Sequence, residues 1–428
     1  MSGVTPPSPA RSNPYAVAIL LAGVYGLSFL DRQLLSILAE PVKADLGLSD
    51  TQLGFLSGLA FALFYSIFGI PVAMLADRSN RVRIVAAACA LWSLFTATCG
   101  MAQTFAQLAL ARVGVGVGEA GGSPPSYAII ADYFPPEKRA GAMAIYSLGV
   151  PVGTTAGAAL GGWIAAEHGW RWAFVAIGVV GIVYSLIVVT AVREPQRGSF
   201  DSSPGKQQPL AATLGFFIGD PVLRRAAFAA GLSAFVGYAM LSWTPALLMR
   251  TKGMDLGELA LYYSLVSGIT AAIGTLFSGH LVDRLGQHDR RMYGFVPAAA
   301  FFISIPFYAA GVFVSSWEWA LVLMSVPFAF YAAYLPPTLA IVQNRVAPSQ
   351  RSTASSILLL IMSLIGLGGG PLYIGAISDA AAGAGAASSL QIAMFALAPV
   401  FALAALMHVS VARALARGGD HEEVAGPR

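Results

Sequence analysis

Twelve windows of about 20 mostly apolar residues, each bounded by charged or turn residues, run through this chain, and they constrain its fold more than any other feature. A helix of that length crosses a hydrocarbon core of about 30 Å, and inside lipid only helices and closed barrels satisfy every backbone hydrogen bond. The windows cover residues 15–38, 51–75, 82–102, 104–130, 140–165, 172–192, 226–249, 259–282, 292–314, 319–342, 353–376 and 389–411. Only 11% of the residues are charged, against about 25% in a soluble domain. The expected fold class is therefore an all-α membrane protein with twelve transmembrane helices. A disordered chain, a disulfide scaffold and a soluble enzyme are excluded. Cys89 and Cys99 fall in one apolar window with no CxxC and read as small packing residues.

Residues 1–14 are Pro/Ser-rich with no short apolar core and cleavage site, so the first window is expected to be a span rather than a signal peptide. An even number of spans places both termini on one side. Nineteen of the 25 Lys and Arg lie on that side, while Lys43, Arg171, Arg250 and Lys252 lie on the other. By the positive-inside rule the termini are expected in the cytoplasm, with the chain in the inner (plasma) membrane. The net charge of +4 sits in short loop clusters rather than on a basic face, so no nucleic-acid partner is expected.

The longest polar segment, 193–225, contains GSFDSSPGKQQP at 198–209 and divides the chain near its midpoint. The expected organisation is a tail (1–14), a six-helix bundle (15–192), a linker (193–225), a second bundle (226–411) and a tail (412–428). Each half repeats two signals. ADRSNRVR at 76–83 is matched by GHLVDRLG at 279–286, with Asp77-Arg78 and Asp283-Arg284 206 residues apart. PEKR at 136–139 is matched by PSQR at 348–351, 212 residues on. Two pseudo-symmetric bundles that rock about a central site are a transporter architecture, and alternating access is its mechanism. Asp77, Arg78, Arg81, Arg139, Asp283 and Arg284 are candidate gating residues that lock helix ends together; simple topology signals are the alternative.

Four charges fall inside the windows: Asp31, Arg32, Arg112 and Glu119. Each costs about 2.5–3.5 kcal/mol at a helix centre on insertion scales and is expected to face a polar cavity. Counting 1.5 Å of rise per residue puts Asp31 and Arg112 level, so spans one and four can pair there. Glu119 follows Arg112 by two turns on the same face. Arg32 continues a stripe of Tyr25, Ser28 and Ser36 that can wall a cavity, or else it snorkels outward. The alternatives are a pair that only fixes helix register, and a Glu119 satisfied by neighbouring hydroxyls. The second half has no such charges but carries Phe235, Tyr238, Trp243, Phe277, Phe330, Tyr331 and Tyr334. A cavity charged on one wall and aromatic on the other suits an amphipathic passenger, with its anionic head at Arg112 and its acyl tail against the second half. Asp31 and Glu119 are the expected proton carriers, because a buried carboxylate keeps its charge only while a cation stays beside it.

RVGVGVGEAGG at 112–122 superficially resembles a phosphate loop, yet no strand precedes it and no Lys-Ser/Thr follows. Its glycines at four-residue spacing, like Gly149, Gly153, Gly157 and Gly161 in span five and GLGGGP at 366–371, suit close helix packing instead. The five histidines form no HExxH and no GxSxG occurs. No metal and no cofactor other than the proton is expected. An exporter of drugs or other small organic ions, a uniport facilitator and an intramembrane hydrolase are the alternatives.

Through its twelve spans, paired halves and Asp-Arg loop motif, the chain resembles the major facilitator superfamily over its whole length. Ala73 and Asn80 stand where that loop motif usually has Gly, while Gly279 and Gly286 keep it. Span five is similar to the antiporter glycine motif, with Ala158 replacing its usual Pro. FLDRQLLSILAEPVKADLGLSDTQLG (29–54), FYSIFGIPVAMLADRSNR (64–81) and GEAGGSPPSYAIIADYFPPEKR (118–139) resemble the Spinster family of lipid transporters, in particular its bacterial members. That resemblance implies proton-linked movement of lysophospholipids or sphingosine-phosphate-like lipids, with Asp31, Arg112 and Glu119 as coupling residues. The superfamily resemblance implies a monomer.

Overall fold

The computed structural model describes residues 13–197, 199–200, 210–346 and 350–422. The first half comprises α1 (Pro14–Ile37), α2 (Ala39–Leu46), α3 (Asp50–Ser57), α4 (Leu59–Arg78), α5 (Arg81–Cys99), α6 (Phe105–Glu119), α7 (Ser123–Tyr133), α8 (Pro136–Ser147), α9 (Gly149–His168) and α10 (Trp170–Ala191). The segment expected as a linker contains a helix, α11 (Leu210–Gly219). The second half comprises α12 (Pro221–Lys252), α13 (Leu256–Glu258), α14 (Ser264–Gly286), α15 (Met292–Phe313), α16 (Trp317–Phe330), α17 (Leu335–Arg345), α18 (Arg351–Met362), α19 (Gly370–Ala380), α20 (Ala386–Phe395) and α21 (Ala398–Glu422). π-helical turns at Leu259–Tyr263 and Ser363–Gly369 join α13 to α14 and α18 to α19.

Eleven stretches of the described residues are long and apolar enough to span a membrane. The expected fourth span, 104–130, differs. It is built from two shorter helices, α6 and α7, because Gly121 and Gly122 release the helix after Glu119 and Pro124 and Pro125 restart it. Proline is tolerated in the first turn, where its missing N–H has no intrahelical partner to lose. Both halves open with the same device. Asn13 caps α1 ahead of Pro14, and Asp220 caps α12 ahead of Pro221, accepting from Val222 N at 2.7 Å and Leu223 N at 3.0 Å. The seventh span consequently starts at Pro221 rather than at 226.

Alternating helix directions give the molecule two ends. The linker face carries the start of α1, α11 with the start of α12, and the end of α21; the distal face carries α2, the start of α3 and the end of α19. Within the first half α1 packs along α9, and α5 along α10 and α6; within the second α15 packs along α21 and α16. The α1–α9 seam is backbone against backbone: a Cβ on Gly153 would lie 2.0 Å from the Gly26 carbonyl oxygen. The halves meet mainly through α3 against α19, α4 against the Ser363–Gly369 turn, and α9 against α14.

Candidate functional site

The four intramembrane charges form two ion pairs between α1 and α6. Arg112 Nη1 donates to Asp31 Oδ2 at 3.0 Å, and both side chains are almost wholly buried. Thr96 Oγ1 donates to Asp31 Oδ1 at 2.6 Å, and Arg112 Nε reaches the Leu56 carbonyl at 3.5 Å. About 100° around α1 from Asp31, Arg32 Nη2 and Nε donate to Glu119 Oε2 at 2.6 and 2.9 Å, and Ser28 Oγ donates to the same oxygen at 2.5 Å. All three donors thus converge on Oε2, while the buried Oε1 has no hydrogen-bond partner among the described residues. Glu119 is the last residue of α6, so it sits at the break in the fourth span. Discontinuous helices are where transporters of this architecture place polar chemistry.

Only one of the four groups is reachable. The Arg32 side chain is 17% exposed, against 1% for Glu119 and for Arg112. Its guanidinium lies over the rings of Phe61 (4.6 Å), Phe29 (4.9 Å) and Tyr65 (5.3 Å), and Phe61 also faces Arg112 at 5.8 Å. Desolvated guanidinium–ring contacts of this kind are attractive by about 2 kcal/mol. Tyr25 stacks on Tyr146 at 4.6 Å beside them. The aromatic surroundings of the charged site therefore belong largely to the first half, where Phe61 and Tyr65 mark one face of α4 by their four-residue spacing.

Several expected placements change. Arg112, expected to meet the passenger directly, is buried against Asp31 in this conformation, and Arg32 is the more exposed of the two guanidinium groups. Arg32 does not snorkel outward; Glu119 holds it. Trp243 is 2% exposed and donates to the Pro371 carbonyl at 2.9 Å, anchoring α19 rather than lining a cavity. Tyr334 is buried and packs on Phe301 and His408, while Tyr238 and Tyr331 are half-buried. Phe277 is 57% exposed. His408, unremarked within span twelve, is buried and bonded to Ser233 Oγ at 2.9 Å.

The expected gating residues on the linker face hold one half together. Arg81 is buried and donates to Asp132 (2.6 Å) of its own half and to Glu194 (2.8 Å) just beyond α10. Arg139 Nε donates to the Ala131 and Phe134 carbonyls. Arg78 and Arg284 are exposed, and the side chains of Asp77 and Asp283 lie outside the described residues.

Ion pairs that bridge the halves occur at the opposite end. Arg250, at the end of α12, donates to Asp50 Oδ2 (2.7 Å) and Oδ1 (2.9 Å) and to Glu40 Oε1 (2.6 Å). Lys43 also pairs with Asp50, and Ser378 Oγ donates to it at 2.5 Å. Asp379 in turn accepts from the backbone N–H groups of Asp50 (3.0 Å) and Thr51 (2.8 Å). Nearby, an Arg171 hydrogen bond, with one from Trp170 Nε1, holds the Asp45 carboxyl below the ordinary carboxylate range. Sequence reasoning read Lys43 and Arg250 only as minority charges of a topology count. The available signal was three carboxylates within 40–50, facing two cations at the same membrane face.

A Major Facilitator Superfamily profile matches residues 21–371. The chain is 36% identical over 371 residues to an MFS-type efflux pump of Mycolicibacterium smegmatis, covering 85% of this chain and 84% of that protein. It is 27% identical to human protein spinster homolog 1, covering 88% of this chain and 75% of the other. Its structure is similar to that of a bacterial homologue of the human lysosomal transporter Spinster in an inward-facing, unoccupied conformation. The TM-score there is 0.88 at 32% identity, covering 95% of this chain and 98% of that one. Against the occupied inward-facing form the TM-score is 0.83.

Proposed function

The chain belongs to the Major Facilitator Superfamily and is a membrane transporter. From that membership we propose that it is a proton-linked secondary transporter working by alternating access, with an amphipathic anionic lipid such as a lysophospholipid or sphingosine-phosphate-like molecule as its passenger. It acts as a monomer in the plasma membrane, with the linker face in the cytoplasm. The distal latch closes the outer side in this conformation.

The observation that carries this reading is the Arg32–Glu119 pair. Arg32 is the exposed member, set among aromatic rings, and Glu119 is the buried one, with a single loaded oxygen. An anionic head that engages Arg32 takes away the counter-charge of Glu119. A lone carboxylate in a dry site is unfavourable, and a proton on the unpartnered Oε1 removes that charge. Asp31 and Arg112 hold α1 and α6 in register beneath this exchange. The half-buried Tyr238 and Tyr331 face it from the second half and meet the acyl chain.

Uptake of labelled lysolipid into proteoliposomes, with and without a pH gradient, tests the reading. Wild-type protein is expected to move the lipid faster under the gradient. Glu119→Gln should lose the gradient response and keep binding. Gradient-independent uptake by wild-type protein would sink the proton linkage. A second reading, export of drugs or other small organic ions, has a specific support in the efflux-pump relative. Gradient-driven export of such compounds with no lipid movement would establish it.

A further inference from the structure

On the distal face the halves meet along two seams that the internal repeat relates: the start of α3 against the end of α19, and the start of α13 against the end of α9. The two helix starts are 206 residues apart, the offset of the Asp-Arg loop motif, and each carries a capping box, Ser49 with Gln52 and Asp255 with Glu258. The two helix ends follow the 212-residue offset of PEKR and PSQR, which matches Ser378-Asp379 of α19 with Ala166-Glu167 of α9.

Equivalent places hold different chemistry. The first box is closed within its own half: Ser49 Oγ accepts from Gln52 N at 3.2 Å, and Gln52 Oε1 accepts from Ser49 N at 2.9 Å. The N–H groups of Asp50 and Thr51, the first two of α3, have no intrahelical acceptor. Asp379 of the other half serves both, Oδ1 accepting from Asp50 N at 3.0 Å and Oδ2 from Thr51 N at 2.8 Å. Its neighbour Ser378 donates to the Asp50 carboxylate at 2.5 Å. Two consecutive residues of α19 therefore hold the backbone and the side chain of α3 at once, and a carboxylate there also meets the positive end of the helix dipole. Along the other seam Ala166 has no polar side-chain atom and Glu167 is exposed. Asp255 and Glu258 bond each other, and no hydrogen bond joins α9 to α13 among the described residues.

We propose that Asp379 is a positioning residue for the transport cycle: with Ser378 it clasps the start of α3 from across the halves, which makes α3–α19 the tethered seam of the distal face and leaves α9–α13 free to part. The clasp exists only while the halves are together, so its strength sets the balance between closed and separated forms whatever the passenger is. The readout is the distribution of distances between nitroxide labels on the distal ends of α6 and α20 in the full-length protein. Asp379→Ala leaves Glu40, Lys43, Asp50 and Arg250 in place and should move the ratio of separated to closed forms about fivefold, the weight of one helix cap. Asp379→Asn keeps an acceptor at the helix start and should recover part of that shift. Gln52→Ala removes the arm of the capping box that lies within the first half and persists in both forms. It should lower the thermal unfolding midpoint and leave the distribution as in wild type. Glu167→Ala, at the matching place of the other seam, should change neither. An unmoved distribution in Asp379→Ala overturns the proposal. So does an equal shift in Gln52→Ala, which would assign the hold to the stability of α3 itself, or in Glu167→Ala, which would assign it to diffuse surface charge.

Discussion

The first half of the molecule buries charge and pairs it; the second half buries rings and leaves its charge at the edge. Asp31, Arg32, Arg112 and Glu119 all lie between α1 and α6, whereas a deep polar contact of the second half is the hydrogen bond between His408 and Ser233, flanked by Phe301 and Tyr334. The difference teaches that pseudo-symmetry of backbone does not carry symmetry of electrostatics. The intramembrane charges are concentrated in one bundle, and the rings packed on them belong largely to that bundle as well.

The strongest way to break this contrast is to unpair a buried charge. Arg112→Ala strands Asp31 in a site with no water access and should cost about 3–5 kcal/mol, a large drop in the thermal unfolding midpoint together with loss of transport. His408→Phe in the second half leaves Ser233 without its partner and should cost only about 1–3 kcal/mol. Similar losses for the two variants would erase the asymmetry. Next in size is the distal latch. Asp50→Asn removes a charge held by Arg250 and Lys43, and hydrogen bonds to charged groups contribute about 1.5–3 kcal/mol each. The distribution of distances between nitroxide labels on the distal ends of α9 and α16 should then shift about tenfold or more toward separation. An unchanged distribution would mean that packing alone closes that face.

Length and hydropathy were enough to read the number of spans, the two halves and the repeated loop motifs, because each rests on local composition. The level pairing of Asp31 with Arg112 was also accessible, since helical rise along two spans sets it. Arg32 with Glu119 was not, because that pair depends on how far α1 and α6 rotate toward each other, which residue spacing on separate helices leaves undetermined. The break after Glu119 was averaged away by an apolar window that ran through Gly121, Gly122 and two prolines. The distal latch joins Asp50 to Arg250 across 200 residues, and no periodicity links positions on different bundles. Trp243 and Phe277 show the same limit from the other side, since an aromatic residue in a span can face a neighbour, a cavity or the outside with identical local sequence.

The glycines of the distal face have a calorimetric consequence. A Cβ on Gly54 would lie 2.4 Å from the Pro371 carbonyl oxygen and one on Gly375 only 2.2 Å from that of Asp50, so peptide groups meet peptide groups there. Parting such a surface wets mainly amide and little hydrocarbon, and amide hydration lowers heat capacity where hydrocarbon hydration raises it. The van't Hoff plot for that separation should be close to straight, so warming would shift its equilibrium constant without the strong curvature that accompanies the unzipping of an oily interface.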